Sequence, residues 1–133
     1  MLASPLSLLA VAIGGAAGSV ARYLMLLAIM QWAGSRFPVG TIVVNVIGCT
    51  VMGVLSELAA LIWSPSPELR ALLLVGVLGG FTTFSSFTLD IGVLVARDEF
   101  TAAAGYFLAS TLFSVLGFFA GLWAARSLVS VSL

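Results

Sequence analysis

The sequence contains no histidine and no lysine, and only one cysteine, Cys49, which lies in an apolar run. A lone cysteine excludes an intrachain disulfide. With no histidine and only scattered acids, the chain offers no ligand set for zinc or another transition metal. Charge is scarce as well: five arginines and five acids cancel to a net charge of zero. That balance argues against a nucleic-acid or polybasic-lipid partner. There is no polar block large enough for a soluble domain. No nucleotide-binding motif, catalytic carboxylate pair or nucleophile constellation occurs, so an enzyme is not expected.

What is present is apolar. Of 133 residues 62% are hydrophobic and 8% charged, and mean hydropathy is +1.25. A soluble domain of this size could not cover so much apolar surface, so the chain reads as an all-α integral membrane protein. Four runs are each long enough to cross a hydrocarbon core of about 30 Å. They are Leu6 to Trp32, Gly40 to Trp63, Leu69 to about Val95, and Thr101 to about Val129. Ala33 to Pro38, Ser64 to Pro67 and Arg97 to Glu99 separate them. A signal peptide is rejected for the first run: the region before it lacks Lys and Arg, and hydrophobicity resumes straight after Arg22. Trp32, Trp63 and Trp123 fall near expected helix ends, as an interfacial belt requires. Four spans with short loops form one domain, residues 1–133.

The third run carries the most information. Its middle reads Gly76-Val77-Leu78-Gly79-Gly80-Phe81-Thr82-Thr83-Phe84-Ser85-Ser86-Phe87. Glycine has weak helix propensity, and Ser and Thr side chains compete for backbone groups. A helix break is therefore expected between about Gly79 and Thr83, near mid-membrane, where it must face protein, water or an ion. Beyond it, Phe81, Phe84 and Phe87 recur every three residues and predict a stripe on one helical face. A glycine packing face with core phenylalanines is the plainer alternative.

Isolated polar residues mark the other runs. Arg22 sits well inside the first, either snorkelling or forming an electropositive vestibule, and continues a face begun by Gly14 and Gly18. Asn45, one turn from Thr41, offers two amide donors to an anion or an interhelical hydrogen bond. Tyr106, Ser110 and Ser114 stand four apart and give the last helix a hydroxyl stripe. Glu57 and Asp90 lie within two turns of span ends, where interfacial placement is expected. The first helix holds no acid, which argues against a proton-coupled cation exporter. Freed carbonyls at the break would suit a small hard cation, since no carboxylate lies nearby.

At these residues the chain resembles the Fluc family of small fluoride channels. The matching segments are Gly14-Gly15-Ala16-Ala17-Gly18-Ser19-Val20-Ala21-Arg22-Tyr23, Gly40 to Gly48 around Asn45, and Gly79-Gly80-Phe81-Thr82-Thr83-Phe84-Ser85-Ser86-Phe87. The resemblance implies an antiparallel, dual-topology homodimer in the bacterial inner membrane with two pores that let fluoride leave passively, relieving its toxicity. It implies pores lined by Asn45, Phe84 and Phe87, with Thr41, Thr83, Tyr106, Ser110 and Ser114 as polar contacts and Arg22 at a vestibule. It also implies a structural sodium ion on the backbone carbonyls of Gly79 and Thr82. A four-helix dual-topology drug exporter or a non-transporting scaffold are the competing functions.

Arginines divide two against two between the sides, Arg70 and Arg126 opposite Arg36 and Arg97, so the positive-inside bias is neutral. C-terminal reporter fusions are therefore expected to report both orientations in similar amounts, and two lysines added to one loop to fix one. A strong bias in the unmodified chain would sink dual topology.

Overall fold

The computed structural model describes residues 4–131. Four long helical spans follow one another, each long and apolar enough to cross a membrane: Pro5–Ala33, Val39–Leu61, Pro67–Ala96 and Phe100–Val131. The first, α1, starts where Ser4 Oγ accepts the Ser7 amide at 3.1 Å and Pro5 fills the first turn. It stops at Gly34, whose φ of 74° suits glycine at a helix C-terminus. The second span is α2. The third divides into α3, residues 67–81, and α4, Phe84–Ala96, and the last is α5. These bounds lie within two residues of those expected from the sequence.

Within α3 the chain winds as a π-helix over Ala71–Leu78, a feature the sequence did not announce. The break itself is narrower than expected. Gly79 to Phe81 remain helical, and only Thr82 and Thr83 are extended, at φ/ψ of −76°/158° and −152°/124°. The correction has a packing reason. A Cβ on Gly80 would stand 2.6 Å from the Gly15 carbonyl oxygen, so this glycine admits α1 closely and does not unwind the helix. Phe81 consequently ends α3, buried against Gly48, and drops out of the expected stripe.

Two close helix pairs build the molecule. Gly14 and Gly18 of α1 face Leu72, Gly76 and Val77 of α3, with the two helices running in the same direction. Gly53 of α2 meets Phe118 and Leu122 of α5, while Gly121 meets Thr50 and Val54, again in parallel. Side chains at these glycines would overlap the opposing backbone, so the small residues set the interhelical distance. Glu57 lies one turn before the end of α2 and is packed inside the bundle at 5% exposure. Arg126 Nε donates to its Oε1 at 2.6 Å, closing the far end of the α2–α5 pair. This acid is thus bonded to a partner 69 residues away whose own side chain is exposed. Leu8, Leu24, Leu112 and Leu128 are among many large apolar side chains left exposed, as a lipid-facing surface demands.

Gly53→Ala places a methyl group against the Phe118 carbonyl and should cost about 1–3 kcal/mol. Gly105, where an added Cβ meets nothing within 4 Å, should accept alanine neutrally or gain up to ~1 kcal/mol. Thermal unfolding of both variants in detergent checks the pair, and equal melting temperatures would contradict this packing.

Candidate functional site

The break could not persist in an apolar interior with its backbone unpaired. Asn45 resolves this from the facing helix. Its Oδ1 accepts the Thr83 amide at 2.8 Å, and its Nδ2 donates to the Thr83 carbonyl at 3.0 Å. One side-chain amide thereby pairs with both polar groups of one residue, as a neighbouring strand would. Gly48, one turn along α2, lets Thr82 and Phe81 approach. Thr82 doubles back onto α3, with its amide and hydroxyl both donating to the Leu78 carbonyl at 3.0 and 2.9 Å. Thr83 opens α4: its Oγ1 accepts the Ser86 amide at 3.1 Å and donates to Ser86 Oγ, also at 3.1 Å.

Around this clip lies a cleft of about 290 Å³. Seven of the sequence-predicted site residues line it: Asn45, Thr82, Thr83, Phe84, Phe87, Ser110 and Ser114. Phe84 is 79% exposed and Phe87 only 6%. Their ring centroids are 5.4 Å apart, with planes inclined at 45°. Ser110 is buried beneath them on α5. Among the described residues, Ser114 Oγ is the one buried side-chain polar atom without a hydrogen-bond partner. The cleft therefore combines hydroxyl donors, one free amide N–H of Asn45 and two aromatic rings, with no charged side chain in its lining. Such a set can take a small anion without holding it as tightly as a fixed cation would.

Tyr106 and Thr41 stand apart from the cleft lining. Tyr106 is wholly buried, its ring edge-on to Phe37 and tilted against Phe87, and its hydroxyl donates to Asp90 Oδ2 at 2.8 Å. Thr41 is buried beside that hydroxyl. Arg22 is half-buried one turn past Gly18 and has no hydrogen-bond or ion-pair partner among the described residues. Gly79 lies in the last helical turn before the break and Thr82 within it. The Thr83 amide, which would close the next helical bond onto Gly79, is taken by Asn45 instead. Sequence reasoning missed Cys49, Thr111 and Val115 as lining residues. Cys49 could have been found one turn beyond Asn45, whereas nothing in the sequence linked Asp90 to Tyr106.

The model of the CrcB-like protein, Camphor Resistance (CrcB) family matches residues 9–122. The chain belongs to this family. Among similar proteins, one from Rhodospirillum centenum is 55% identical over 123 residues, covering 92% of this chain and 98% of the relative. One from Chelativorans sp. is 48% identical over 122 residues, with 92% and 98% covered. One from Rhizobium etli is 50% identical over 125 residues, with 91% and 97% covered. All three are named fluoride-specific ion channel FluC. Membership and the four apolar spans make this CrcB chain a multi-pass membrane protein.

Asn45→Ala leaves the amide and carbonyl of Thr83 unpaired, at about 1–3 kcal/mol for each buried group. Hydrogen exchange at the Thr83 amide should accelerate and the melting temperature fall. Asn45→Asp keeps the acceptor but loses the donor, so it should also be destabilising. Unchanged exchange at Thr83 in the alanine variant would show that the clip is dispensable.

Proposed function

We propose that this protein is a fluoride-selective channel that lets fluoride leave the bacterial cell passively across the inner membrane. The observation that carries this reading is the gathering of Asn45, Thr83, Phe84, Phe87, Ser110 and Ser114 around one cleft. The relatives named fluoride-specific ion channels support it from outside the chain. Fluoride is small and strongly hydrated, so a pore must replace its water with donors. Hydroxyl groups and the remaining Asn45 N–H do this, and the electropositive edges of Phe84 and Phe87 can face the ion where their π faces would repel it. Thr41 and Tyr106 extend the polar route beyond the cleft, with the Tyr106 hydroxyl available once Asp90 releases it. Arg22, unpaired and half-buried, supplies positive potential at a vestibule.

The functional unit in this reading is an antiparallel, dual-topology homodimer with two pores. The neutral arginine balance supports insertion both ways, and Phe84 projects from the single chain where a second copy could cover it. The break falls near the middle of Pro67–Ala96, at the depth of an in-plane two-fold axis. Two copies would bring four carbonyls together there, from Gly79 and Thr82 of each. Their chemistry fits a sodium ion, since hard cations take oxygen ligands and Asn45 has diverted the amide that Gly79 would otherwise bind. Such an ion would be structural, holding the two breaks together. The relatives are channels and not enzymes, and no catalysis is assigned here. A drug exporter is less well supported: the buried acid Glu57 is neutralised by Arg126, and it lies twelve residues, about 18 Å along α2, from Asn45.

Proteoliposomes loaded with fluoride and given an electrical shunt should release it rapidly while retaining chloride. Phe84→Ile and Phe87→Ile should each slow fluoride release about tenfold or more, a barrier change of ~1.4 kcal/mol. Normal release from both variants would reduce the rings to core packing, and chloride release matching that of fluoride would refute the selectivity.

A further inference from the structure

The turn that ends α3 is closed by α1 on one side only. Gly15 of α1 packs its carbonyl where a Cβ on Gly80 would stand, and one turn further along α1 the Ser19 hydroxyl donates to the Gly80 carbonyl at 3.5 Å. Gly79, the preceding residue, is exposed in the single chain, and a Cβ there would meet nothing nearer than the Leu74 carbonyl at 3.9 Å. Two neighbouring glycines of one turn thus stand in opposite surroundings, one covered and one open. In an unbroken helix the carbonyls of Gly79 and Gly80 would accept the amides of Thr83 and Phe84. The extended pair Thr82 and Thr83 removes both donors: the Thr83 amide goes to Asn45, and Phe84 begins α4. Among the described residues Ser19 takes over the Gly80 carbonyl, whereas the Gly79 carbonyl has no donor from its own chain. The Ser19 contact is long for a hydroxyl donor, so it aligns the carbonyl more than it stabilises the fold.

We propose that Ser19 is a positioning residue for the sodium site at the break. By engaging the Gly80 carbonyl it ties the last turn of α3 to α1 and leaves the oxygens of Gly79 and Thr82 as the pair that each chain contributes. The inference rests on the sodium reading above and is independent of fluoride passage. Ser19 does not touch the ion; it acts through the turn. Without the hydroxyl the Gly80 carbonyl loses its donor in a low-dielectric interior. The turn also loses a tether, so ordering the ligand carbonyls on binding costs more.

The test uses the full-length protein in detergent, melted in sodium chloride or in N-methylglucamine chloride at constant ionic strength. The wild-type melting temperature should rise with sodium and define a half-saturating concentration. Ser19→Ala should raise that concentration about threefold. Ser19→Thr keeps the hydroxyl and should stay at the wild-type value. Ser19→Val has the shape of threonine without the hydroxyl and should follow alanine, and this pair decides if the alanine variant does not fold. A hydroxyl with a merely structural role would lower the melting temperature equally with and without sodium and leave the half-saturating concentration unchanged. That result overturns the inference, as does a valine variant that matches threonine. A wild type that melts identically in both salts defeats the sodium reading and this inference together, while fluoride efflux still judges the channel reading.

Discussion

A membrane helix cannot be opened unless something takes over its backbone hydrogen bonds, and here Asn45 does so. Its side chain is a peptide group in miniature, with one donor and one acceptor aimed at Thr83. Any shorter or singly functional side chain would leave half of that pair unmet in a low-dielectric interior, where unpaired groups are most costly. The clip works only if α2 holds its depth and distance relative to the break. The glycines do this: Gly48 admits Thr82, Gly53 and Gly121 fix α2 against α5, and Gly14 and Gly18 fix α1 against α3. The break is therefore supported by the whole bundle, although it spans only two residues.

Polarity is distributed in a way that suits transient occupancy by an anion. Several fixed charges are paired or bonded near the ends of the spans, as in Arg126 with Glu57, Arg36 with Glu99 at 3.8 Å, and Arg97 with the Arg36 carbonyl, while Arg22 is not. Glu57 is the buried member of its pair and Arg126 the exposed one, so removing Arg126 would leave a buried carboxylate without its bonded partner. The pair is better seen as a constraint on the register of α2 and α5. Between these ends the polar lining of the cleft is hydroxyls, one amide and the Cys49 thiol, beside aromatic rings and without a charged group. Neutral donors can compensate for lost hydration while leaving an ion free to depart.

Several features were readable before any coordinates. Four spans followed from the length of apolar runs, because the hydrocarbon thickness admits few alternatives. The existence of a break followed from Gly79, Gly80, Thr82 and Thr83 together, and a polar stripe from the spacing of Tyr106, Ser110 and Ser114. The same spacing could not tell that Tyr106 turns its hydroxyl to Asp90 while Ser110 and Ser114 face the cleft. Helical period places residues on a face, but it does not say which neighbour that face meets.

The sequence by itself determined the solvent the protein lives in, the number of its spans and the segment that must deviate from regular helix. These are local properties, fixed by hydropathy and backbone propensity over a few turns. Only the tertiary structure decided where the deviation falls. Gly80 stayed helical because α1 packs against it, and Thr83 became extended because Asn45, 38 residues away in sequence, captures its backbone. It likewise decided that a buried Glu57 bonds to an exposed Arg126 and that Cys49 shares a cleft with Ser114. Each of these depends on the register between helices, which is set by contacts distant in sequence and leaves no local trace.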